Sequence, residues 1–298
     1  DLPAPPQVQD VLHGLVYGDE LGKTSSPVKL GDLANLQSVP RLIEHMQALL
    51  ANEVYPAGPQ GVVRLNFDLP TLVIPDIHGR RDALNRLLSP YQKDIFAGRL
   101  QVVFLGDLMH SENYERWTAI EKEYAFDAGR IVFASRTPAM DQEMADSLGT
   151  VAMAMSLRQG LRSSVHVLKG NHENVLDVQE LGNQTVGKFV STPWSAGEGA
   201  LVKAYLEVKA GPEFLRRLAA WENHLPLLAI GSNFAASHAE PAAPYTLSQI
   251  ASRGEDAVAG LTWTRIWQNR SMQGGKNARM FTIDVLKNVF NERWQDTY

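Results

Sequence analysis

Three times in this chain a short apolar run ends on polar side chains set close to a glycine, and a fourth run ends on histidine. The stretches are "TLVIPDIHGR", "LQVVFLGDLMH", "VHVLKGNHENV" and "NFAASHAE". They deliver Asp76 and His78, then Asp107, then Asn171, His172 and Glu173, and last His238. Carboxylate, imidazole and amide groups hold divalent cations, and with no cysteine in the chain any metal must be held by His, Asp, Glu or Asn. Asp76 and His78 stand two apart, so in extended chain both point to one side, and Gly79 permits close backbone approach. Taken singly, "PDIHGR" and Gly106–Asp107 read as capped turns and His238 as a structural histidine. The row Asn171, His172, Glu173 is harder to assign to packing, because three adjacent polar side chains at a strand end are costly to bury without partners. Four such ends together make a site.

The elements that must position these residues are short apolar strands alternating with helical segments, which argues α/β architecture with functional residues on loops beyond the strand ends. Helix-like segments cover 81–89 and 139–158. Upstream, "DLPAPPQVQD" reads as an extended arm, and a helical period starts at Val39 with Leu42, Ile43, Met46, Leu49 and Leu50 on one face. Prolines and glycines in "NEVYPAGPQG" end it. Residues 1–60 are therefore expected as a helical N-terminal extension on a main domain covering 61–298. Within 139–158, Met144, Leu148, Val151 and Met155 form a 4-3-4 stripe that reads as core packing. The remaining histidines, His13, His45, His166 and His224, carry no assigned role.

The bulk numbers narrow the partners. The chain has 298 residues, 44% of them apolar and 20% charged, an ordinary balance for a globular protein. A net charge of −5 gives no reason to expect nucleic acid or an anionic membrane as partner. No apolar run approaches the roughly 20 residues that span a bilayer. The first residue is Asp1, so a removed leader is not visible, and the cytoplasm is favoured over export.

The order D-x-H, G-D, G-N-H-E and a strand-end histidine resembles the calcineurin-like metallophosphoesterases, most closely their bacterial and phage-type PPP phosphatases. The resemblance covers roughly residues 70–270. "SHAE" is similar to the H-A-D variant of those enzymes, and "LTWTR" resembles their W-x-R element, which makes Arg265 the expected phosphate-gripping arginine. The fold this implies is a two-sheet β-sandwich flanked by helices. The implied cofactor is a pair of divalent ions (manganese, iron or zinc), with Asp76, His78 and the shared Asp107 on one, and Asn171 and His238 completing the other. His172 is then the proton donor to the leaving group, Glu173 braces the loop, and the reaction is direct in-line attack of metal-bound hydroxide on a phosphoester. The expected substrate is a phosphoprotein or small phosphate monoester.

The match departs from the family in two places. The usual G-D-x-V-D-R-G is Gly106, Asp107, Leu108, Met109, His110, Ser111, Glu112 here, so the aspartate that pairs with the proton donor becomes His110 and the arginine becomes Ser111. A neutral imidazole can orient His172 but stabilises an imidazolium less than a carboxylate does. Glu112 is a stand-in for the lost carboxylate and Arg80 for the lost arginine; Arg81 reads as part of a solvated helix start. "GDLMH" also resembles the G-D-L-F-H of DNA-repair nucleases, which keeps a phosphodiesterase or dinucleoside polyphosphate hydrolase open. A catalytically degraded metal- or partner-binding scaffold is the third reading. The second departure is that the family pattern calls for one more histidine, in a G-H loop, and none follows His238 before Tyr298. The expectation is a domain lacking its C-terminal strands, a weakly held second metal and low activity. Finally, Asp107 to Asn171 spans 64 positions, about twice the family's usual step, so an inserted helical segment is expected around 112–163. Its aromatics Tyr114, Trp117, Tyr124 and Phe126 read as packing ahead of substrate contact.

Overall fold

The computed structural model describes residues 38–53, 61–161, 164–190 and 197–264. Arg265, the arm before residue 38 and everything after residue 264 lie outside the described residues. The helix expected from Val39 is α1 (Val39–Ala51), opened by Pro40 in its first turn and burying all six residues of the expected stripe. It lies against α5 (Pro138–Gly160), where Gln159 Nε2 donates to Leu49 O at 2.6 Å and His45 Nε2 meets Ser156 Oγ at 3.1 Å.

Two small sheets carry the rest. β2 (Thr71–Ile74), β3 (Gln101–Phe104) and β6 (Val165–Val167) form one, in the order β2-β3-β6, parallel throughout. β1 (Val62–Arg64), β7 (Leu228–Ile230) and β8 (Ala235–Ala236) form the other, with β1 and β7 parallel and β8 antiparallel to β7. The alternation of side chains along a strand fixes the layers. In β3, Val102 and Phe104 enter the main core with α1 and α5, while Val103 faces the other way. In β7, Leu228 and Ile230 pack under α8 (Leu247–Ala251) and α9 (Glu255–Thr262), while Ala229 meets Val103, Leu65 and Leu168. A thin apolar seam thus joins two sheets whose outer faces carry helices, the expected sandwich. Between β2 and β3 run α2 (Arg81–Leu88), a single 3-10 turn (Ser89–Tyr91) and α3 (Gln92–Phe96).

The insertion is only partly helical. After α4 (Tyr114–Ile120) comes a hairpin, β4 (Tyr124–Asp127) and β5 (Arg130–Phe133), which the helical reading of this segment did not foresee. Its two-residue turn places Ala128 at φ 47° and Gly129 at φ 79°, the left-handed pair that matches the twist of short hairpins. Tyr124 and Phe133 face each other across the strands and sit edge-on at 6.2 Å, and Phe133 in turn meets Tyr205 on α6 (Glu198–Lys209). Trp117 is buried and its Nε1 donates to Ser111 O at 2.7 Å, so packing accounts for it, whereas Tyr114 is largely exposed. Met144, Leu148, Val151 and Met155 are buried in the core, as the stripe implied.

Candidate metal centre

Each of four strands ends at the same edge of the sandwich. β2 runs out to Asp76 and His78, β3 to Asp107, β6 to Asn171 and His172, and β8 to His238. Their loops are tied across one another, with the amides of Ile77 and His78 donating to Asp107 O at 3.1 and 2.8 Å. His78, Asp107 and His110 adopt φ of 48°, 51° and 62°, a left-handed conformation uncommon outside glycine. Such strain persists only where the surroundings over-determine it. Here Gly170 is part of the reason: a Cβ on it would stand 2.3 Å from Asp107 Oδ1.

Glu173 holds this crossing together. Its buried carboxylate accepts the backbone N–H groups of Gly170 at 2.7 Å, Asp107 at 2.8 Å and Leu108 at 2.9 Å. From below, buried Lys169 donates to Glu173 O, and Glu222 on α7 (Pro212–His224) accepts the Val175 amide at 2.8 Å. A second support was not legible from the motifs. Glu143, Ser147 and Thr150, spaced 4 and 3 along α5, present a polar stripe to the loop 108–111. Glu143 Oε1 accepts the Ser111 amide at 2.8 Å, Ser147 Oγ accepts the His110 amide at 3.1 Å, and Thr150 Oγ1 donates to Leu108 O at 2.6 Å. The signal was present in the sequence, since these three positions interleave with the methionine stripe on the same helix.

The side chains converge on Asp107, which is only 3% exposed. Its Oδ2 lies 3.6 Å from His78 Nε2, 3.5 Å from His238 Nε2 and 3.9 Å from His172 Nε2. Its Oδ1 accepts the His172 amide at 2.9 Å. His238 Nε2 is 2.8 Å from Asn171 Oδ1, and His238 Nδ1 is 3.6 Å from Asp76 Oδ1. Among the described residues, two sets of side chains bring ligand atoms within 4.8 Å of one another: His78, Asp107 and His172, and Asp76, Asp107 and His238. Asp107 belongs to both.

These residues fit a cation. Two ligand atoms each about 2.1 Å from one ion stand about 3.0–3.5 Å apart, near the separations around Asp107 Oδ2 and too long for hydrogen bonds. Both ring nitrogens of His78 face oxygen: Nδ1 meets His110 O at 3.0 Å and Nε2 points at Asp107. His238 repeats this, with Nδ1 at 3.1 Å from Leu105 O and Nε2 against Asn171 and Asp107. A neutral imidazole has one N–H, so a ring with oxygen on both sides has its lone pair aimed at an anion unless a positive charge intervenes. Burial, then the neighbouring Glu173 carboxylate, push the Asp107 pKa well above the ordinary range, which a bound cation would reverse.

His110 sits beside this cluster, its Nδ1 2.9 Å from Nδ1 of His172. It is fully buried, and desolvation followed by the charge of His78 pushes its pKa down to about 3. Glu112 forms an ion pair with Lys188 at the rim. Arg80 is exposed, and with Asp76, His78 and Ser111 it lines an open cavity of about 990 Å³. Arg81 does not belong to a solvated helix start as expected: it is 7% exposed and lies over Gly149 of α5, where a Cβ would come within 2.5 Å of its Cδ. Its guanidinium approaches Asp146 at 3.9 Å.

Residues 69–281 match the family model of calcineurin-like phosphoesterases. Among solved structures, the chain is similar to a protein serine/threonine phosphatase from Saccharomyces cerevisiae with similarity to human phosphatase PP5. The TM-score is 0.43 at 15% identity, over 86% of this chain and 64% of that one. No curated protein is matched by this sequence. No helix among the described residues is long and apolar enough to cross a membrane.

Proposed function

Because the chain belongs to the calcineurin-like phosphoesterase family, we propose that it hydrolyses phosphate monoesters, of a phosphoprotein or a small molecule, at two divalent cations. The observation that carries this reading is the placement of the buried Asp107 carboxylate among His78, His238 and His172 at 3.5–3.9 Å, with Asp76 and Asn171 closing the second side. Asp76, His78, Asp107, Asn171 and His238 would hold the cations, and the mixture of imidazole and oxygen donors suits manganese, iron or zinc. When bound, such a pair polarises a phosphoryl oxygen and lowers the pKa of a coordinated water.

The chain's own residues supply the rest. His172, protonated on both ring nitrogens, offers its Nε2–H to the oxygen of the departing alcohol, and His110 accepts from its Nδ1 and so fixes the plane of the ring. Glu173 holds the backbone that aims both Asp107 and His172. Arg80, which lines the cavity, is assigned the task of meeting a substrate phosphate, and Arg265 the same task from its motif alone. Hydrolysis of p-nitrophenyl phosphate, dependent on added manganese and abolished by chelation, tests the assignment. Absence of turnover with every divalent ion tried would overturn it. The His110–His172 pair in place of an aspartate–histidine pair is the observation that favours a diesterase on the same scaffold. Turnover of bis(p-nitrophenyl) phosphate exceeding that of the monoester would decide for it.

A further inference from the structure

The cavity beside Asp76 and His78 holds about 990 Å³, far more than one phosphoryl group fills and within the range of sites that enclose a whole small ligand. One wall comes from the insertion, through Asn113, Tyr114, Glu115 and Arg116. Arg116 differs from the other cations there in how it is held. Its Nη1 donates to Glu143 Oε2 at 3.1 Å and lies 2.9 Å from Asp146 Oδ2, two carboxylates on one face of α5. Glu143 is itself fully buried and fixed by Ser111 and Ser147. The guanidinium is therefore pinned from behind by one nitrogen, with 21% of the side chain exposed. Among the described residues its Nε and Nη2 have no partner, and these two nitrogens form the side-on edge that matches two phosphate oxygens at once. Every side-chain partner of Arg116 lies on α5 and none belongs to the cluster around Asp107, while the residue itself lines the cavity.

We propose that Arg116 binds a second phosphate of the substrate, carried on the leaving-group side of the ester that is cleaved. The enzyme's preferred substrates are then compounds with two phosphates a few bonds apart. This rests on the phosphoesterase reading above. Arg81 at Asp146 stiffens the same anchor, and Arg80 lines the same cavity.

The test compares propyl phosphate with propane-1,3-diyl bisphosphate as substrates of the manganese-loaded full chain, and reads the ratio of their kcat/KM values. The unmodified protein should prefer the bisphosphate, and Arg116→Lys, which keeps a charge against Glu143 and Asp146 but loses the two-nitrogen edge, should cut that ratio by about tenfold or more. Arg116→Gln, which keeps an amide donor for the two carboxylates, serves if the lysine variant does not fold and should show the same loss. A ratio near one in the unmodified protein, or an equal loss on both substrates, would overturn the proposal. If neither ester is turned over, the phosphoesterase reading fails on its own, and calorimetric binding of propane-1,3-bisphosphonate against propylphosphonate takes over. Tighter binding of the bisphosphonate that Arg116→Lys removes would then sustain the second phosphate site, and no such difference would end it.

Discussion

The Nδ1 atoms of His110 and His172 lie 2.9 Å apart, so one imidazole donates to the other. Burial keeps His110 neutral, with its pKa pushed down to about 3. A protonated His172 then has to give its Nδ1–H to His110, whose own proton sits on Nε2, a buried atom with no hydrogen-bond partner among the described residues. The donor ring is thereby oriented but receives no countercharge from this neighbour. Replacing His110 by Asp supplies one. The backbone tolerates the change, since His110 sits at φ 62° and aspartate is among the residues that enter this region most readily. A carboxylate stabilises the imidazolium, raises the pKa of His172 and keeps the acid form to higher pH. The alkaline limb of kcat in His110→Asp should therefore move upward by about one pH unit or more. An unmoved limb would remove His172 from the role of acid.

His172 also lies 3.9 Å from Asp107 Oδ2, close enough to be taken for a ligand. The two roles separate experimentally. As proton donor, its replacement by Asn should lower kcat by about 10²–10⁴-fold and leave the bound metal unchanged. As a ligand, the same change should lower metal content in step with activity. Metal analysis of His172→Asn after gel filtration, beside kcat, decides between them, and we expect full metal content.

Asp107 is the one residue common to both candidate ligand sets, and its substitution should cost both ions together. Asn suits the site's backbone, because φ 51° is a conformation asparagine adopts readily. Its Oδ1 still accepts the His172 amide, so Asp107→Asn should fold. Removing the charge leaves His78 and His238 facing a neutral group. The expected result is loss of both metal equivalents and at least a thousandfold fall in kcat/KM, worth about 4 kcal/mol of transition-state stabilisation. Retention of one tightly held equivalent would show that Asp107 is not shared.

The sequence carried the strand ends well, because each apolar run stops where the polar side chains begin and the pattern needs no distant information. The helix from Val39 was equally open, since its period alone names the buried face. What stayed hidden depends on partners far along the chain. Arg81 is buried because Gly149, on another element, leaves room for its side chain, and local polarity gave no hint of that. The polar stripe Glu143, Ser147 and Thr150 has meaning only once the loop 108–111 is laid over α5. The hairpin at 124–133 is hard to see in the sequence because its two strands are four residues each and lie between helical segments. Arg116, likewise, takes its meaning only from its anchors on α5, 27 and 30 positions along the chain.

Glu173 offers the sharpest separation between folding and chemistry. Its carboxylate accepts three buried amides that come from two loops: Gly170 on its own, Asp107 and Leu108 on the other. Truncation to Ala leaves all three donors unpaired in a place water reaches poorly. Each orphaned donor costs about 1–3 kcal/mol, and partial relaxation brings the sum for Glu173→Ala to roughly 3 kcal/mol or more. Gln keeps one acceptor oxygen but turns an N–H₂ toward a second amide, so Glu173→Gln should fall between the two. The loop that loosens is the one carrying Asp107, so metal affinity should drop in the same order. Urea unfolding of the chelated and the metal-loaded protein measures both effects. Should Glu173→Ala unfold at the same urea concentration as the unmodified protein in both states, the carboxylate is not what fixes the crossing of the two loops.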